Sequence, residues 1–253
     1  MPPGPASKRF YKTATASPVD GGECLGFGVR LDGRPIRTPG GRPLILPAQG
    51  LAEAIAAEWR AQTERIDVAS MAFTRLAATA ADRVAEGRDG VVEMLLSYAG
   101  GDVLCYRAEE PADLAARQDE RWQPLLDWAA DHLGARLVVT RGILPVAQPE
   151  PAVTALGRAL EGLNSWELTA LAVIAQACGS LVLALALAQG RIGPEEAFAL
   201  SQLDESYQIE RWGEDAEAAR RRRALQDDIR DAWRFMALAR GRTGDQPAAE
   251  KKA

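Results

Sequence analysis

The stretch LTALAVIAQACGSLVLALALA, residues 168–188, decides the fold of this chain, because it carries no charged side chain along its whole length. A run of about 20 apolar residues is long enough to cross a bilayer. However, Asn164 and Ser165 can cap a helix here with Glu167 in its first turn, and Gly190 can end it. Neither end has an aromatic belt or a basic cluster. The stretch therefore predicts one continuous helix, buried among other helices, and no stable membrane insertion.

Composition and charge narrow the class of protein. The chain of 253 residues is 47% hydrophobic and 26% charged, which is typical of a globular protein with one large or two ordinary domains. A net charge of -5 argues against a nucleic-acid partner, which requires a basic surface. Cys24, Cys105 and Cys178 are odd in number and far apart, which indicates a reducing compartment. No secretory signal is expected in MPPGPASKRF, residues 1–10.

The first third of the chain predicts a small domain of antiparallel strands and helices. Turn signals at Pro18, at Asp32 and Gly33, and at residues 39–41 separate short β-branched and apolar segments. Strands are expected at residues 25–31, 35–37 and 43–46, the first elements forming an antiparallel meander. Two amphipathic helices follow, at residues 51–66 and at about 70–86.

The rest of the chain predicts helices. They are expected at residues 90–99, 112–133, 150–162, 165–189, 194–215 and 217–239, with a lone strand or hairpin arm within residues 135–143. The fold class is therefore α+β. The predicted domains are an N-terminal α/β domain, residues 1–86, a helical C-terminal domain, residues 87–240, and a disordered tail, residues 241–253.

The residues favour neither catalysis nor metal binding. The one histidine, His132, lies late in a helix, without the partners of a catalytic triad or a zinc site. There is no CxxC pair, no phosphate-binding loop and no dinucleotide-binding glycine motif. The basic run Arg220–Arg223 is interpreted as a solvated, salt-bridged helix face rather than a nucleic-acid patch. No cofactor and no metal are expected.

The segment LDESYQIERWGED, residues 203–215, mixes aromatic and acidic residues at helical spacing. A helix through it is apolar on two sides and should be mostly buried, yet each side carries a glutamate, Glu205 on one and Glu210 on the other. A buried carboxylate needs a partner. Two explanations remain open: an internal ion pair with Arg117, Arg121 or Arg211, or a groove where the acids meet another molecule. Aromatic residues beside acids are also typical of binding hot spots.

Several motifs together carry a resemblance to a known family. They are RFYK (residues 9–12), GFGVRLDGRPIRTPGGRPLILP (26–47), MLLSYAGGDVLCYRA (94–108), QDERWQPLLDW (118–128) and LSQLDESYQIERWGED (200–215). In this order, from about Lys8 to Arg240, the chain resembles the ATP synthase assembly chaperones that bind the alpha subunit of the soluble catalytic sector. That family occurs in mitochondria and alphaproteobacteria. Because no transit peptide is recognised, the resemblance implies a bacterial, cytoplasmic member.

The resemblance implies a chaperone, not an enzyme. Family members hold the newly made alpha subunit soluble until the beta subunit takes over the same surface, and the chain is expected to be a monomer. The partner-binding residues that match by motif are Glu205, Tyr207, Glu210, Trp212, Gly213, Asp215 and, in the EW motif, Trp59, which is interpreted as mainly structural. The alternatives are a small-molecule-binding protein or enzyme that uses the acidic-aromatic groove, and a membrane-associated protein.

Overall fold

The computed structural model describes residues 7–19 and 26–242. Cys24, the first residue of the strand expected at 25–31, and nearly all of the tail expected at 241–253 lie outside the described residues. Two compact units are present, and each is described by itself. The predicted α+β class is confirmed by a small antiparallel sheet near the start of the chain and by helices through the rest of it. The domain limits predicted from the sequence stay predictions.

The first unit contains the chain up to Arg88, Ser165–Ala170 and the chain from Arg234. Its antiparallel sheet has the order β1 (Ala14–Val19), β2 (Gly26–Leu31), β3 (Arg34–Pro35). Between β2 and β3, Asp32 and Gly33 both have positive φ, 47° and 81°, which matches the right-handed twist of a tight hairpin. The meander and its tight turn are confirmed.

Three local predictions in this sheet were wrong. Pro18 does not make a turn but lies inside β1 opposite Phe27, which is possible because β1 is an edge strand. The segment expected as a strand at 43–46 makes isolated bridges, Leu46 with Phe27 and Pro43 with Arg37. The strand expected at 35–37 is reduced to β3, since the chain turns again at Thr38, whose carbonyl accepts the Gly41 N–H.

Two helices pack in this unit as their apolar periods predict. Helix α1 (Gln49–Ala61) buries Leu51 and Ile55 completely and packs on β1 and β2. Helix α2 (Ala72–Thr79) continues into a π-helical turn over Ala80–Val84. Its buried side includes Phe73.

Two later segments complete the first unit. The Phe235 ring lies 6.5 Å from the Phe73 ring and 6.3 Å from the Trp166 ring, measured between centroids. Glu167 accepts a hydrogen bond of 2.6 Å from Nε of Arg240. The core of this unit is therefore built from three separate parts of the chain.

The remaining elements are mostly helical. They are α3 (Arg88–Ser97), β4 (Tyr106–Arg107), α4 (Ala112–Trp128), β5 (Thr140–Arg141), α5 (Glu150–Glu161), α6 (Ser165–Cys178), α7 (Leu181–Ala188), α8 (Pro194–Ser201), α9 (Leu203–Trp212) and α10 (Ala216–Ala239). The second unit contains Asp89–Asn164 and Leu171–Trp233. The helix expected at 112–133 is confirmed as α4 plus a π-helical turn over Ala129–Leu133. The expected lone strand or hairpin arm was wrong, because β5 pairs with β4 in parallel.

The uncharged stretch at 168–188 is two helices, not the continuous helix expected. Gly179 adopts a left-handed φ of 62° after α6, and Ser180 caps α7 by accepting the Leu183 N–H at 2.9 Å. Every residue of α7 is buried, and the expected end at Gly190 is confirmed by its φ of 76°. Within residues 7–19 and 26–242, no helix is long and apolar enough to cross a membrane.

A buried carboxylate holds the break between α6 and α7. Asp102 is fully buried and accepts the N–H groups of Leu104 and Val182, both at 3.1 Å. The Val182 N–H lies in the first turn of α7, where backbone donors have no partner within the helix. Burial raises the pKa of Asp102 to about 6, even though hydrogen bonds from Ser180 and the backbone oppose the shift.

Asp102→Asn should become progressively more stable relative to the unsubstituted protein as the pH rises from about 4 to about 7. A carboxyl with a raised pKa stabilises the fold below its unfolded pKa of 3.8, and this contribution is lost as the pH rises to about 6. The change should total about 3 kcal/mol, at 1.36 kcal/mol per pKa unit. Urea denaturation followed by circular dichroism at several pH values measures it.

Asp32→Asn is the matched control for this pH dependence. Backbone hydrogen bonds from Thr13 and Lys12 hold the pKa of Asp32 below its usual value, so its stabilising contribution is lost as the pH falls. The relative stability of this variant should therefore change in the opposite direction. A difference between Asp102→Asn and the unsubstituted protein that does not vary with pH would contradict the expectation.

Candidate functional site

Tyr207 anchors α9 to α4. Its side chain is 2% exposed, and its hydroxyl donates a hydrogen bond of 2.6 Å to Oδ1 of Asp113 on α4. The guanidinium carbons of Arg211 and Arg117 lie 3.5 and 5.3 Å from the Tyr207 ring centroid. The Tyr207 hydroxyl and the nearby Arg211 hold the pKa of Asp113 below its usual value. Tyr207 therefore belongs to the packing between two helices rather than to an open surface.

Glu210 is paired inside the chain. Its two carboxylate oxygens lie 2.8 and 2.9 Å from one guanidinium nitrogen of Arg117, although the side chain is half exposed. This hydrogen bond lowers the pKa of Glu210. On the next residue, Arg211 pairs with Asp113 at 2.5 Å. The structure therefore contains the internal ion pair considered from the sequence, and of the arginines proposed the partner is Arg117.

Glu205 faces the opposite way, toward α10. Its carboxylate lies 3.1 Å from Arg221 and 3.9 Å from Arg222, and Arg222 also approaches Glu214 at 3.4 Å. The interpretation of the arginine run as a salt-bridged helix face is confirmed at these two arginines.

Trp212 forms an exposed corner at the end of α9. Its side chain is 76% exposed, so the prediction that the segment is buried on both apolar sides was wrong. The reason is local: α9 ends at Gly213, whose φ is 83°, and the chain then enters α10. Asp215 caps α10 by accepting the N–H groups of Glu217 and Ala218 at 2.8 and 2.9 Å. The corner formed by Trp212, Gly213 and Asp215 is named the α9–α10 corner.

The helix expected at 194–215 is also divided. Helix α8 ends at Ser201 and α9 begins at Leu203, with Gln202 outside the helical conformation. Trp122 on α4 donates its indole N–H to the Leu200 carbonyl at 3.0 Å. This carbonyl lies in the last turn of α8, where acceptors have no partner within the helix. The sequence showed no sign of this break because the donor lies 78 positions away.

Trp59 belongs to the first unit, whereas the other six predicted partner-binding residues belong to the second. Its ring packs edge-on against Tyr11, with centroids 5.5 Å apart, and its carbonyl accepts the Tyr11 hydroxyl at 2.6 Å. It is half-buried against a core cluster that includes Ile66 and Met71. This environment agrees with a mainly structural role.

The polar residues that position α9 were only partly recognised from the sequence. Asp113 pairs with Tyr207 and Arg211, and Gln118 donates to Asp204 at 2.7 Å. These partners lie 86 to 98 positions apart, beyond the reach of any helical period. A first-turn acid such as Asp113 is ordinary in a helix, so it carried no separate signal.

Reactive groups are not assembled in the described part of the chain. No cluster of three or more His, Cys, Asp or Glu side chains there could hold a metal ion. His132 stacks on Trp128, with centroids 6.0 Å apart. Burial raises the pKa of the Cys105 and Cys178 thiols to about 12, so neither forms the thiolate required of a nucleophile near neutral pH.

Comparison with known proteins places the chain in a family. Residues 8–130 match the family model described as the ATP12 chaperone protein. The mitochondrial Atp12 protein of Schizosaccharomyces pombe is 30% identical over 223 residues, which cover 83% of this chain and 75% of that protein. The chain belongs to the ATP12 chaperone family.

Solved structures agree with this ATP12 assignment. The crystal structure of Atp12 from Paracoccus denitrificans is 42% identical, with a TM-score of 0.85 over 92% of this chain and 98% of that one. A crystal structure from Agrobacterium tumefaciens is 41% identical, with a TM-score of 0.86 over 91% and 85% of the two chains. The resemblance found in the sequence motifs is therefore confirmed at the level of the ATP12 family.

Proposed function

We propose that this ATP12-family chain is an assembly chaperone of the F-type ATP synthase. It acts as a monomer in the bacterial cytoplasm, without enzymatic activity or cofactor. It holds the unassembled alpha subunit soluble until the beta subunit replaces it on the same surface. The observation that carries the docking surface is Trp212, a large apolar side chain that is 76% exposed at the α9–α10 corner.

The surroundings of Trp212 suit a contact that a native partner can displace. Tryptophan is enriched among the few interface residues that supply most of the binding free energy. On α9 and α10, the half-exposed Glu210 and the capping Asp215 give this corner an acidic rim. Charged groups at the rim of an interface influence orientation and association rate more than affinity. A small apolar anchor with such a rim therefore favours specific but reversible binding.

The small-molecule alternative has less support. A ligand-binding or catalytic groove would need carboxylates available to the ligand. Glu205 and Glu210 are each paired with arginines, and Asp113 is occupied by Tyr207 and Arg211. The aromatic side chain between the two helices, Tyr207, is buried.

Light scattering of ATP synthase alpha subunit, freshly diluted from denaturant without ATP, tests the proposal. Near-equimolar chaperone should suppress aggregation, and added beta subunit should release the alpha subunit into assembled complexes. An unrelated acidic protein of similar size serves as the control. Equal scattering with and without the chaperone would reject the holding function.

Charge reversal at Glu210 tests whether this carboxylate contacts the alpha subunit. Glu210→Lys should require about tenfold more chaperone for the same protection, equivalent to a tenfold weaker complex. The fold should remain intact, because exposed ion pairs contribute little to stability. Circular dichroism and urea denaturation check the fold, and light scattering measures the protection.

The control is the exchanged pair, Arg117→Glu with Glu210→Arg, which keeps an ion pair between α4 and α9. If Glu210 contacts the client, the exchanged pair stays defective. Restored protection would show that the glutamate acts through its internal pair instead. Unfolding of Glu210→Lys would lead to the same conclusion.

A further inference from the structure

The first unit contains an open cleft of about 640 Å³ along one side of α1. Its floor is formed by the small side chains of α1, and Phe73 lies at one side. The lining residues used below are Ala54, Ala57, Ala61, Arg65, Phe73 and Arg234. From Ala54 to Ala61 the helix rises by about 10 Å, at 1.5 Å per residue. The cleft therefore has the length of about two helical turns of a bound peptide.

The acidic residues of the cleft have partners within the chain. Glu58 accepts the N–H groups of Phe73 and Thr74 at 2.7 and 2.8 Å and the Thr74 hydroxyl at 2.7 Å. Asp67 accepts the Ala69 N–H at 3.0 Å. These hydrogen bonds cap the helical segments that begin next to each acid. Neither carboxylate is therefore oriented to receive a basic ligand.

The basic residues of the cleft are less occupied. Nε of Arg234 is buried and has no hydrogen-bond partner among the described residues, and its guanidinium carbon lies 5.9 Å from the Phe73 ring centroid. The exposed Arg65 side chain forms no ion pair in the part of the chain that the structure describes. A buried N–H donor without a partner is costly, so a ligand that accepts its hydrogen bond is stabilised. The charge that this cleft can still accept is negative.

We propose that this cleft docks a peptide segment of a partner protein that carries an acidic side chain next to an apolar one. The carboxylate pairs with the Arg234 guanidinium, and Arg65 adds a second positive charge in the same cleft. The apolar side chain lies on the alanines of α1 and contacts Phe73. An open cleft bordered by a helix favours a peptide over a small molecule, since most small-molecule sites enclose their ligand.

Fluorescence polarisation tests this site with a labelled twelve-residue peptide of leucine and glutamate at helical spacing. The full chain should bind this peptide, and the analogue with lysine in place of glutamate should bind at least about tenfold more weakly, as expected for a charge-assisted pair. Raising the salt from about 50 to about 200 mM should weaken the first complex. Equal binding of the two peptides would reject the proposal.

Substitutions within the cleft locate the binding. Arg65→Gln together with Arg234→Gln should weaken the glutamate peptide at least about tenfold, which is a change of about 1.4 kcal/mol. Arg75→Gln, an exposed arginine of α2 outside the cleft lining, is the matched control and should change nothing. Because Arg234 is partly buried, Arg65→Gln alone, at an exposed position, provides a variant that keeps the fold. Unchanged binding by Arg65→Gln and by the double variant would reject the site.

Two further arms separate this inference from other outcomes. Ala57→Trp should block the peptide by filling the exposed floor without changing charge. Free glutarate at the same carboxylate concentration should not displace the peptide, and full displacement would show a site for free anions instead. Trp212→Ala should leave peptide binding unchanged, so failure here is distinguishable from failure of the proposed alpha-subunit surface.

Discussion

Trp212→Ala is expected to abolish most of the protection of the alpha subunit while leaving the stability of the chain unchanged. A tryptophan at the centre of an interface contributes about 2 kcal/mol or more, which corresponds to roughly 30-fold in affinity. Removing a side chain that is 76% exposed changes the free energy of unfolding little, about 0.5 kcal/mol at most. Light scattering at graded chaperone concentrations measures the first effect, and urea denaturation measures the second.

Phe10→Ala is the matched control for Trp212. Phe10 is an aromatic residue of the first unit with a similar exposure, 73%, and it lies outside the proposed surface. It should retain full protection. If both variants lose protection equally, general apolar exposure explains the effect. If Trp212→Ala protects like the unsubstituted chain, the proposed docking surface is wrong.

Trp122→Ala should destabilise the second unit by about 3–5 kcal/mol, the usual cost of removing a fully buried tryptophan. Trp122 is completely buried on α4, and its ring lies 5.2 Å from the guanidinium carbon of the buried Arg107. The variant loses this packing together with the hydrogen bond to the Leu200 carbonyl. The urea midpoint followed by circular dichroism measures the loss.

Trp122→Phe separates the hydrogen bond from the packing. It keeps an aromatic ring but leaves the Leu200 carbonyl without its donor, which should cost about 1–3 kcal/mol. Trp212→Phe makes the same chemical change at an exposed position and should cost almost nothing. A loss from Trp122→Phe as small as that from Trp212→Phe would mean that solvent replaces the indole N–H and that α8 does not depend on α4 for its end.

The elements predicted well are those whose cause is local. Helices α5 and α10 begin and end within a few residues of their predicted limits, because apolar side chains recur at helical spacing. The hairpin at Asp32 and Gly33 was recognised because this pair favours positive φ at both positions. Helix α4 was recognised in spite of Pro124, since its buried face includes Leu114 and Trp122.

Helix breaks inside apolar or amphipathic segments were missed. Between α6 and α7, Gly179 and Ser180 are compatible with a continuous helix, and the break is stabilised by Asp102, which lies 80 positions before Val182. Between α8 and α9, the donor to the last turn of α8 comes from Trp122 on another helix. Neither partner can be inferred from a period that repeats every three or four residues.

The candidate site was recognised as a segment but not as an arrangement. The sequence drew attention to residues 203–215, yet it did not separate the buried Tyr207 from the exposed Trp212, and it left three possible partners for Glu210. The structure pairs Glu210 with Arg117, 93 positions away, and places Trp212 at the end of a helix. The exposure of a terminal side chain depends on where the next helix goes, which spacing does not specify.

The sequence by itself determined the helical character of the chain, the hairpin at its start, the family that its ordered motifs resemble and the absence of familiar catalytic motifs. These follow from side-chain spacing, turn preferences and motif order, all of which are properties of neighbouring residues. Only the tertiary structure decided that Ser165–Ala170 and the chain from Arg234 join the first unit, that β4 pairs with β5, and which charges remain available. Those outcomes depend on which distant surfaces bury one another, because burial and ion pairing act between residues close in space, whatever their distance along the chain.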